Sequence, residues 1–229
     1  MQRNLTQQLV QDLGLAIVQG KFHVRGSLPS EADICKQHRV SRSATREAVK
    51  MLSAKGLLTS RPRQGIRVQP EDRWNMFDSD VLHWLLNSRP SRELLTEFAV
   101  MRNGIEPEAA ALAARNASPE AISRIEAALK RMEAADMGYD DPLDSDISFH
   151  AAILSASGNR FYRQMSAFVE TALRVSIRFT NATKGVKGPD VAAHGDILKA
   201  IQKKNPQLAR KKTQALLAES IELIRRGAA

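Results

Sequence analysis

Hydrophobic residues in the first part of the chain recur at the spacing of helices. Leucines from Leu5 to Leu13 are four residues apart, which predicts a helix that ends at Gly20. Ser30 can cap a second helix, because its hydroxyl can accept a hydrogen bond from a free backbone N–H of the first turn. A third helix is predicted over residues 41–54, where apolar residues again share one face.

The pattern then changes to that of a short β-hairpin. Residues 57–60 form a β-prone segment, Gly65 marks a tight turn, and residues 66–68 predict a returning strand. The predicted order of helix, helix, helix and hairpin is that of a helix-turn-helix followed by a wing.

Beyond Pro70 the strand signals disappear and only helical patterns remain. We therefore predict a winged helix-turn-helix over residues 1–70, a linker over 71–75 and an all-α helical bundle over 76–229, so that the fold class is mostly α. The helices of the second domain are predicted over residues 76–87, 90–116, 119–135, 140–157, 160–181, 190–203 and 206–224.

The net charge of +9 is distributed unevenly between these two domains. Residues 1–70 contain 12 Lys and Arg against 4 Asp and Glu, whereas residues 71–229 contain 22 against 21. A concentration of positive charge in one domain is typical of a protein that binds a polyanion. A need for general solubility does not explain this asymmetry.

Other features of the composition narrow the class of protein. No apolar run reaches the ~18–20 residues that a membrane span requires, and the first residues lack the apolar core of a secretory signal. The single cysteine, Cys35, cannot form an internal disulfide. We therefore expect a cytoplasmic protein that has no membrane partner.

The start of the third predicted helix has the residues of a DNA-reading helix. Arg42 and Arg46 are four residues apart and therefore lie on one helical face. Arginine can donate two parallel hydrogen bonds to guanine, and it also pairs with phosphate. Ser41 and Ser43 are short hydroxyl donors that suit phosphate or base contacts.

The predicted hairpin tip is also basic, with Arg61 and Arg63 followed by Gln64 and Gly65. Such a tip can approach the DNA backbone or enter a minor groove. A solvated surface turn is the other interpretation of these residues. The basic helix that precedes them favours DNA contact.

Together these residues resemble the N-terminal domain of the GntR family of bacterial regulators. The resemblance covers residues 5–69. It depends on the stretches 20–22 and 26–31, on Val40-Ser41-Arg42 and Arg46-Glu47-Ala48-Val49, and on Leu52, Gly56 and Gly65. It implies that Arg42 and Arg46 read DNA and that Gln64 and Gly65 form the wing contacts. Ala32 departs from members that have an arginine there, which removes one phosphate contact.

Residues 76–224 resemble the all-helical effector domain of the FadR-type branch of that family. The resemblance depends on Asp80-Val81-Leu82, Trp84, Arg102, Glu106-Pro107, Asp146, His150, Gly158-Asn159, His194, Ile197 and Ala200-Ile201. Within this branch, the segment 74–84 is most similar to regulators of galactonate catabolism. The resemblance implies a domain that senses a small carboxylate.

Asp146 and His150 lie four residues apart on a predicted helix and therefore point the same way, and His194 on a later helix can join them. A carboxylate with imidazoles suits Zn²⁺ or another divalent metal, although such a pair is often only a surface hydrogen bond. The family resemblance implies a fourth ligand, a histidine 22 residues after His194. Leu216 stands there, so an incomplete metal site and direct contact with a ligand both remain open.

Arg102 lies in an otherwise apolar neighbourhood and therefore needs an anionic partner. The resemblance places it in the effector pocket, where it can hold a carboxylate in a bidentate pair, while an ion pair with Glu106 is the structural alternative. Arg174 lies on the helix that is expected to cross the pocket, as an effector contact or as a surface residue.

These features predict a homodimeric repressor that binds a palindromic operator and is released by a sugar acid such as an aldonate or hexuronate. Another organic acid, an amino acid or an acyl-CoA are alternative effectors. A metal-assisted hydrolase that uses Asp146, His150 and His194 is a rival prediction, but it does not account for the basic first domain. A sequence-neutral architectural DNA binder would leave the second domain without a purpose.

Overall fold

The computed structural model describes residues 4–24, 26–61, 63–88, 91–185 and 188–226. The chain divides into two compact units, residues 1–89 and residues 90–229. No helix in these described ranges is long and apolar enough to cross a membrane.

The first unit has the predicted order of helices and hairpin. Its elements are α1 (Leu5–Val18), α2 (Glu31–His38), α3 (Arg42–Ala54), β1 (Leu58–Arg61), β2 (Gly65–Val68), a short 3₁₀ helix (Glu71–Arg73) and α4 (Ser79–Ser88). Its core is formed by apolar side chains of the three first helices and the hairpin, among them Leu9, Ile34, Leu52 and Leu57.

Serine caps begin both helices of the helix-turn-helix. The Ser30 hydroxyl accepts from the backbone N–H of Asp33, whose carboxylate in turn accepts from the backbone N–H of Ser30. The Ser41 hydroxyl accepts from the backbone N–H of Ala44 at the start of α3. Between the two helices, Arg39 has a left-handed conformation with φ 53°, which turns the chain sharply.

The wing is an antiparallel hairpin in which Leu58 pairs with Val68 and Arg61 pairs with Gly65. The preceding loop adds to its edge, because the backbone N–H of Leu28 donates to the carbonyl of Ile66 at 2.8 Å. The loop before α2 therefore pairs with the edge of β2 that does not pair with β1.

Helix α4 belongs to the first compact unit, whereas its residues were predicted to belong with the helical bundle. The Trp84 indole N–H donates to Gln11 of α1 at 2.8 Å, and the amide of Gln11 donates to Asp80 at 3.3 Å. The ring of Trp84 lies so close to Gly14 that an added Cβ there would be only 2.4 Å from it. This packing explains why α4 belongs to the first compact unit. The predicted functional domains, with bounds at residues 70 and 76, stay a prediction.

Helices are the regular secondary structure in the described residues of the second unit. Its elements are α5 (Arg92–Asn116), α6 (Pro119–Asp136), α7 (Pro142–Ala156), α8 (Arg160–Gln164), α9 (Ser166–Lys184), α10 (Val191–Gln202) and α11 (Pro206–Arg226). The single helix predicted over 160–181 is divided at Met165, whose backbone N–H is shared between the carbonyls of Phe161 and Tyr162.

Helix α5 is the centre of this unit and packs against α7, α9, α10 and α11. Small residues from Ala109 to Ala114 are buried along it and allow these helices to approach closely. Pro107 lies inside α5 and has no N–H to donate to the preceding turn. The turn that contains Arg102 and Glu106 contacts α7, because Oε2 of Glu106 lies 2.7 Å from Nδ1 of His150.

Candidate functional site

Helix α3 presents one polar face to solvent and buries the other. Ala48, Val49 and Leu52 are buried, whereas Arg42 and Arg46 are exposed on the opposite side. The amphipathic pattern of this helix therefore places both arginines where a DNA groove could reach them. Their contact with DNA stays a prediction.

The two serines at the start of α3 differ in what they do. Ser41 caps the helix through its hydroxyl, and that hydroxyl also lies 2.9 Å from the hydroxyl of Ser43. Ser43 is exposed and forms no part of the cap. Ser41 has a structural role at this position, whether or not it also contacts DNA.

Arg46 has a protein partner that the sequence did not reveal. Its Nε donates to Oε2 of Glu31, the first residue of α2, at 2.9 Å. This hydrogen bond and the charge of Glu31 raise the pKa of Arg46 above its ordinary value. A carboxylate thus lies within the surface that was predicted to contact DNA.

The tip of the wing is exposed at Arg63, Gln64 and Gly65. Arg63 and Gly65 both have left-handed backbone conformations, with φ of 64° and 72°. The backbone N–H of Gln64 donates to the carbonyl of Arg61 at 3.1 Å and closes the turn. An added Cβ at Gly65 would meet nothing within 4 Å, so glycine is favoured there by its backbone angle and not by a lack of space.

In the second unit the structure brings together Asp146 and His150 of α7 with His194 of α10. One ligand atom from each lies within 4.8 Å of the others, and all three residues are buried. Asp146 Oδ1 lies 3.2 Å from Nε2 of His150 and 3.3 Å from Nε2 of His194. We call these three residues the Asp/His cluster.

The other nitrogen of each imidazole is fixed by an acceptor. Nδ1 of His150 lies 2.7 Å from Oε2 of Glu106, and Nδ1 of His194 lies 2.7 Å from the carbonyl oxygen of Asp190. A carboxylate and a carbonyl can only accept, so both Nδ1 atoms carry a proton. Each Nε2 therefore faces Asp146, with a lone pair in a neutral imidazole and with an N–H in an imidazolium.

Although Asp146 Oδ1 lies 3.2 and 3.3 Å from the two Nε2 atoms, neither Asp146 Oδ1 nor His194 Nε2 has a hydrogen bond of good geometry within the described part of the chain, and both atoms are buried. Burial favours the protonated form of Asp146, but the two imidazoles outweigh it and hold the pKa of this carboxyl below its ordinary value. Burial also opposes a charge on His150, but the charge of Glu106 raises the pKa of His150 to about 9. The cluster is therefore a place where positive charge is stabilised.

Arg102 forms the ion pair that the sequence left as an alternative. Its Nε and Nη2 donate to the two carboxylate oxygens of Glu106, four residues later on α5. Burial would raise the pKa of Glu106, but the charges of Arg102 and His150 outweigh it and lower the pKa to about 2. Glu106 thus connects Arg102 to the Asp/His cluster.

A cavity of about 60 Å³ adjoins the cluster, and Arg102 lines it together with all three cluster residues. Polar side chains from α9 and α11 line part of its wall, namely Ser176, Thr180, Asn181 and Ser220, and apolar residues such as Ile177, Leu217 and Leu223 line another part. Leu216 of α11 also lines the cavity, where the family resemblance implies a histidine. A leucine side chain has no donor atom and cannot ligate a metal.

Arg174 is not among the described residues that line this cavity. Its Nη1 donates to Oδ1 of Asp144 at 2.6 Å, and both side chains are about half exposed. On α9 the side chains of Ser176 and Thr180 are buried, while Arg174 and Arg178 lie on the exposed face. The ion pair with Asp144 agrees with the interpretation of Arg174 as a surface residue and not with its interpretation as an effector contact.

Comparison with known proteins identifies both units. Residues 5–68 match the model described as bacterial regulatory proteins, gntR family, and residues 97–219 match the FCD domain. The chain belongs to the GntR family. It is a transcriptional regulator with a DNA-binding winged helix and an FCD effector domain, and the prediction that it is not an enzyme is confirmed by its relatives.

Two relatives from Escherichia coli (strain K12) match nearly the whole GntR chain. The galactonate operon transcriptional repressor is 30% identical over 221 residues, which is 96% of each protein. The uncharacterized HTH-type transcriptional regulator YieP is 30% identical over 218 residues, which is 94% of each protein. Among solved structures, a GntR protein of Streptococcus agalactiae has a TM-score of 0.53 at 22% identity and covers 95% of this chain and 99% of its own. The predicted fold class and family are thereby confirmed.

Two residues of this GntR regulator were missed as site residues by the sequence analysis. Glu31 is separated from Arg46 by 15 positions, and Glu106 from His150 by 44. Spacing within one helix cannot reveal contacts between helices. The one available signal was the position of Glu106, four residues after Arg102, which identified it as an ion-pair partner but not as the partner of His150.

Proposed function

We propose that this chain represses a catabolic operon and that a small carboxylate releases it from DNA. The observation that carries the proposal is the cavity at which Arg102 meets the Asp/His cluster. Buried polar atoms without partners are costly, so a cavity that contains them favours a ligand or ion that completes their bonding. The exposed arginines of α3 support the DNA-binding part of the proposal.

The lining of the cavity favours a small polyhydroxylated acid. Arg102 and the Asp/His cluster suit a carboxylate, either directly or through a cation. The hydroxyl and amide groups of Ser176, Thr180, Asn181 and Ser220 suit the hydroxyls of an aldonate or hexuronate. The small volume of about 60 Å³ disfavours an acyl-CoA, whose long chain requires an extended apolar channel. The name of the galactonate operon repressor, a relative over 96% of this chain, agrees with this class.

Release by an effector requires that DNA and the effector bind preferentially to different conformations of the protein. We expect a homodimer, because a protein with two-fold symmetry can place one winged helix on each half of a palindromic operator. A ligand that binds more tightly to a dimer geometry unsuited to the operator lowers the affinity of the protein for DNA. The size of this effect is limited by the difference between the free energies with which the ligand binds the two dimer geometries.

The Asp/His cluster fits a divalent metal such as Zn²⁺. Its donor atoms are one carboxylate oxygen and two Nε2 atoms, which zinc prefers, and the Nδ1 atoms have the acceptors that usually orient such ligands. The unpartnered Asp146 Oδ1 and His194 Nε2 support this assignment. A metal held there would supply a positive anchor for the carboxylate of the effector. With Leu216 in the wall, Asp146, His150 and His194 are the protein ligands.

A thermal-shift panel tests the effector class. Galactonate, gluconate, glucuronate, one amino acid and one acyl-CoA are added separately to the full-length protein. At about 100 times its Kd, the correct ligand raises Tm by roughly 5–10 °C, since it stabilises only the folded state. Stabilisation by the amino acid or the acyl-CoA alone would contradict the sugar-acid proposal.

A gel shift tests the DNA-binding part with the DNA upstream of the gene. We expect a complex that survives an excess of random DNA and that is lost when the active sugar acid is added. Equal competition by random DNA would favour a sequence-neutral binder and would overturn the repressor proposal.

A further inference from the structure

A carboxylate on the predicted DNA-reading surface requires an explanation. The first 70 residues have a charge balance of +8, which favours contact with phosphates. Glu31 nevertheless lies against Arg46, with its side chain 34% exposed and that of Arg46 66% exposed. An exposed carboxylate at this place repels DNA phosphates and neutralises a residue that would attract them.

The backbone of Glu31 is held firmly by its neighbours. The hydroxyl of Ser30 caps α2 and lies 2.6 Å from Oδ2 of Asp33, which also accepts from the backbone N–H of Ser30. Glu31 is therefore the first residue of a helix whose N-terminus is fixed by reciprocal hydrogen bonds between Ser30 and Asp33. From this position its carboxylate reaches across to α3.

The hydrogen bond between Glu31 and Arg46 uses one side of the guanidinium group, the side of Nε. Glu31 accepts from Nε of Arg46, and among the described residues no hydrogen bond occupies either Nη group, so both remain available as donors. An arginine that is held through Nε loses much of the rotamer freedom of an exposed side chain. Two Nη donors in a fixed plane match the two acceptors that guanine presents in the major groove.

We infer that Glu31 is a positioning residue that determines the DNA specificity of this regulator by orienting Arg46 toward a base edge. Its negative charge also weakens attraction to phosphates of any sequence, and therefore lowers the affinity for random DNA. The inference depends on the proposed operator binding.

The test compares Glu31→Gln with Glu47→Gln in the full-length protein. Glu47 follows Arg46 on α3 and is exposed, so its substitution removes the same charge away from the pair, whereas Glu31→Gln replaces the charged acceptor of Arg46 with a neutral amide. The probes are a duplex that the wild-type protein selects from a randomised pool and a duplex of unselected sequence. Affinities for both duplexes are measured at one salt concentration.

Both variants are expected to bind the unselected duplex a few-fold more tightly, because each removes one negative charge. Only Glu31→Gln is expected to lose discrimination between the two duplexes, by about tenfold. The loss is expected at the same base pair whose preference Arg46→Ala abolishes. In the Arg46→Ala background, Glu31→Gln should cause no further loss.

Equal discrimination by the Glu31→Gln and Glu47→Gln variants would overturn the inference. Arg46→Lys provides a second test if Glu31→Gln does not fold, because lysine keeps the charge but has no Nε group to be held. Undiminished discrimination in that variant would also overturn it. If the wild-type protein selects no duplex from the pool, the proposed function itself fails, which is a different result.

Discussion

Both carboxylate oxygens of Glu106 accept from Arg102, Oε2 also lies 2.7 Å from Nδ1 of His150, and all three side chains are buried. This arrangement gives a single acidic residue two roles. It neutralises an arginine that would otherwise be unpaired, and it fixes the proton of His150 on Nδ1. The orientation of Nε2 of His150 in the Asp/His cluster therefore depends on a residue that is not itself a member of the cluster.

Glu106→Gln is expected to weaken Zn²⁺ binding by about 10- to 100-fold, because the amide can no longer hold the His150 imidazole as a carboxylate does. Isothermal titration of the full-length protein with Zn²⁺ measures the change. Glu108→Gln is the matched control, since Glu108 lies on the same helix but pairs with Arg210 near the surface. Unchanged Zn²⁺ affinity in a folded Glu106→Gln variant would contradict this role.

Leu216→His is expected to tighten Zn²⁺ binding at least about tenfold, because it adds an imidazole to the wall of the cavity beside the Asp/His cluster. The titration is done without any sugar acid. Leu208→His serves as the control, because it adds a histidine to the same helix at a residue that does not line the cavity. Equal affinity in both variants would show that residue 216 is not directed at the cluster.

Helical glycines in the two units differ in what surrounds them. Gly14 of α1 lies against the ring of Trp84, whereas an added Cβ at Gly104 of α5 would meet nothing within 4 Å. Alanine favours helices over glycine by about 1 kcal/mol. The sign of a Gly→Ala substitution therefore depends on the neighbouring element and not on helix propensity alone.

Gly14→Ala is expected to lower the free energy of unfolding by about 1–3 kcal/mol, because the new methyl group overlaps a buried ring that cannot move freely. Gly104→Ala is the control and should raise it by up to about 1 kcal/mol. Urea denaturation measures both. Stabilisation by Gly14→Ala would mean that α4 does not pack on α1 as described.

At the scale of elements, much of the fold could be predicted from local patterns. The caps at Ser30 and Ser41 and the turn at Gly65 involve neighbours in sequence, and so the start of α2 and the bounds of α3 and the hairpin agree closely with prediction. The attachment of α4 to α1 could not be predicted, because Gln11 and Trp84 are 73 positions apart. Glu31 and Glu106 were missed as site residues for the same reason.

For the whole molecule, the distribution of charge separates the two binding activities. The excess positive charge belongs to residues 1–70, while beside the cavity of the second unit Arg102, Glu106 and the Asp/His cluster are buried and paired with one another. Salt screens exposed charges strongly and buried pairs much less. DNA binding and ligand binding are therefore expected to differ in their dependence on ionic strength.

We expect an increase from about 50 to 200 mM salt to lower the affinity for a selected DNA duplex by about 10³-fold, if some six phosphates are contacted. The affinity for the active sugar acid should change only a few-fold over the same range. Fluorescence anisotropy measures the affinity for DNA and calorimetry measures the affinity for the sugar acid, both on one preparation of the protein. An equally steep salt dependence of both affinities would argue against a buried ligand site.

The contact between Trp84 and α1 also has an optical consequence. The chain contains two tryptophans, Trp74 and Trp84, and both belong to the first unit, where Trp84 is almost fully buried. The intrinsic emission of tryptophan therefore reports on the DNA-binding unit alone, whereas circular dichroism is dominated by the helices of both units. When the protein is heated with a sugar acid, a difference between the two transitions would reveal, without any label, whether the ligand stabilises the unit that binds DNA or only the unit that binds the ligand.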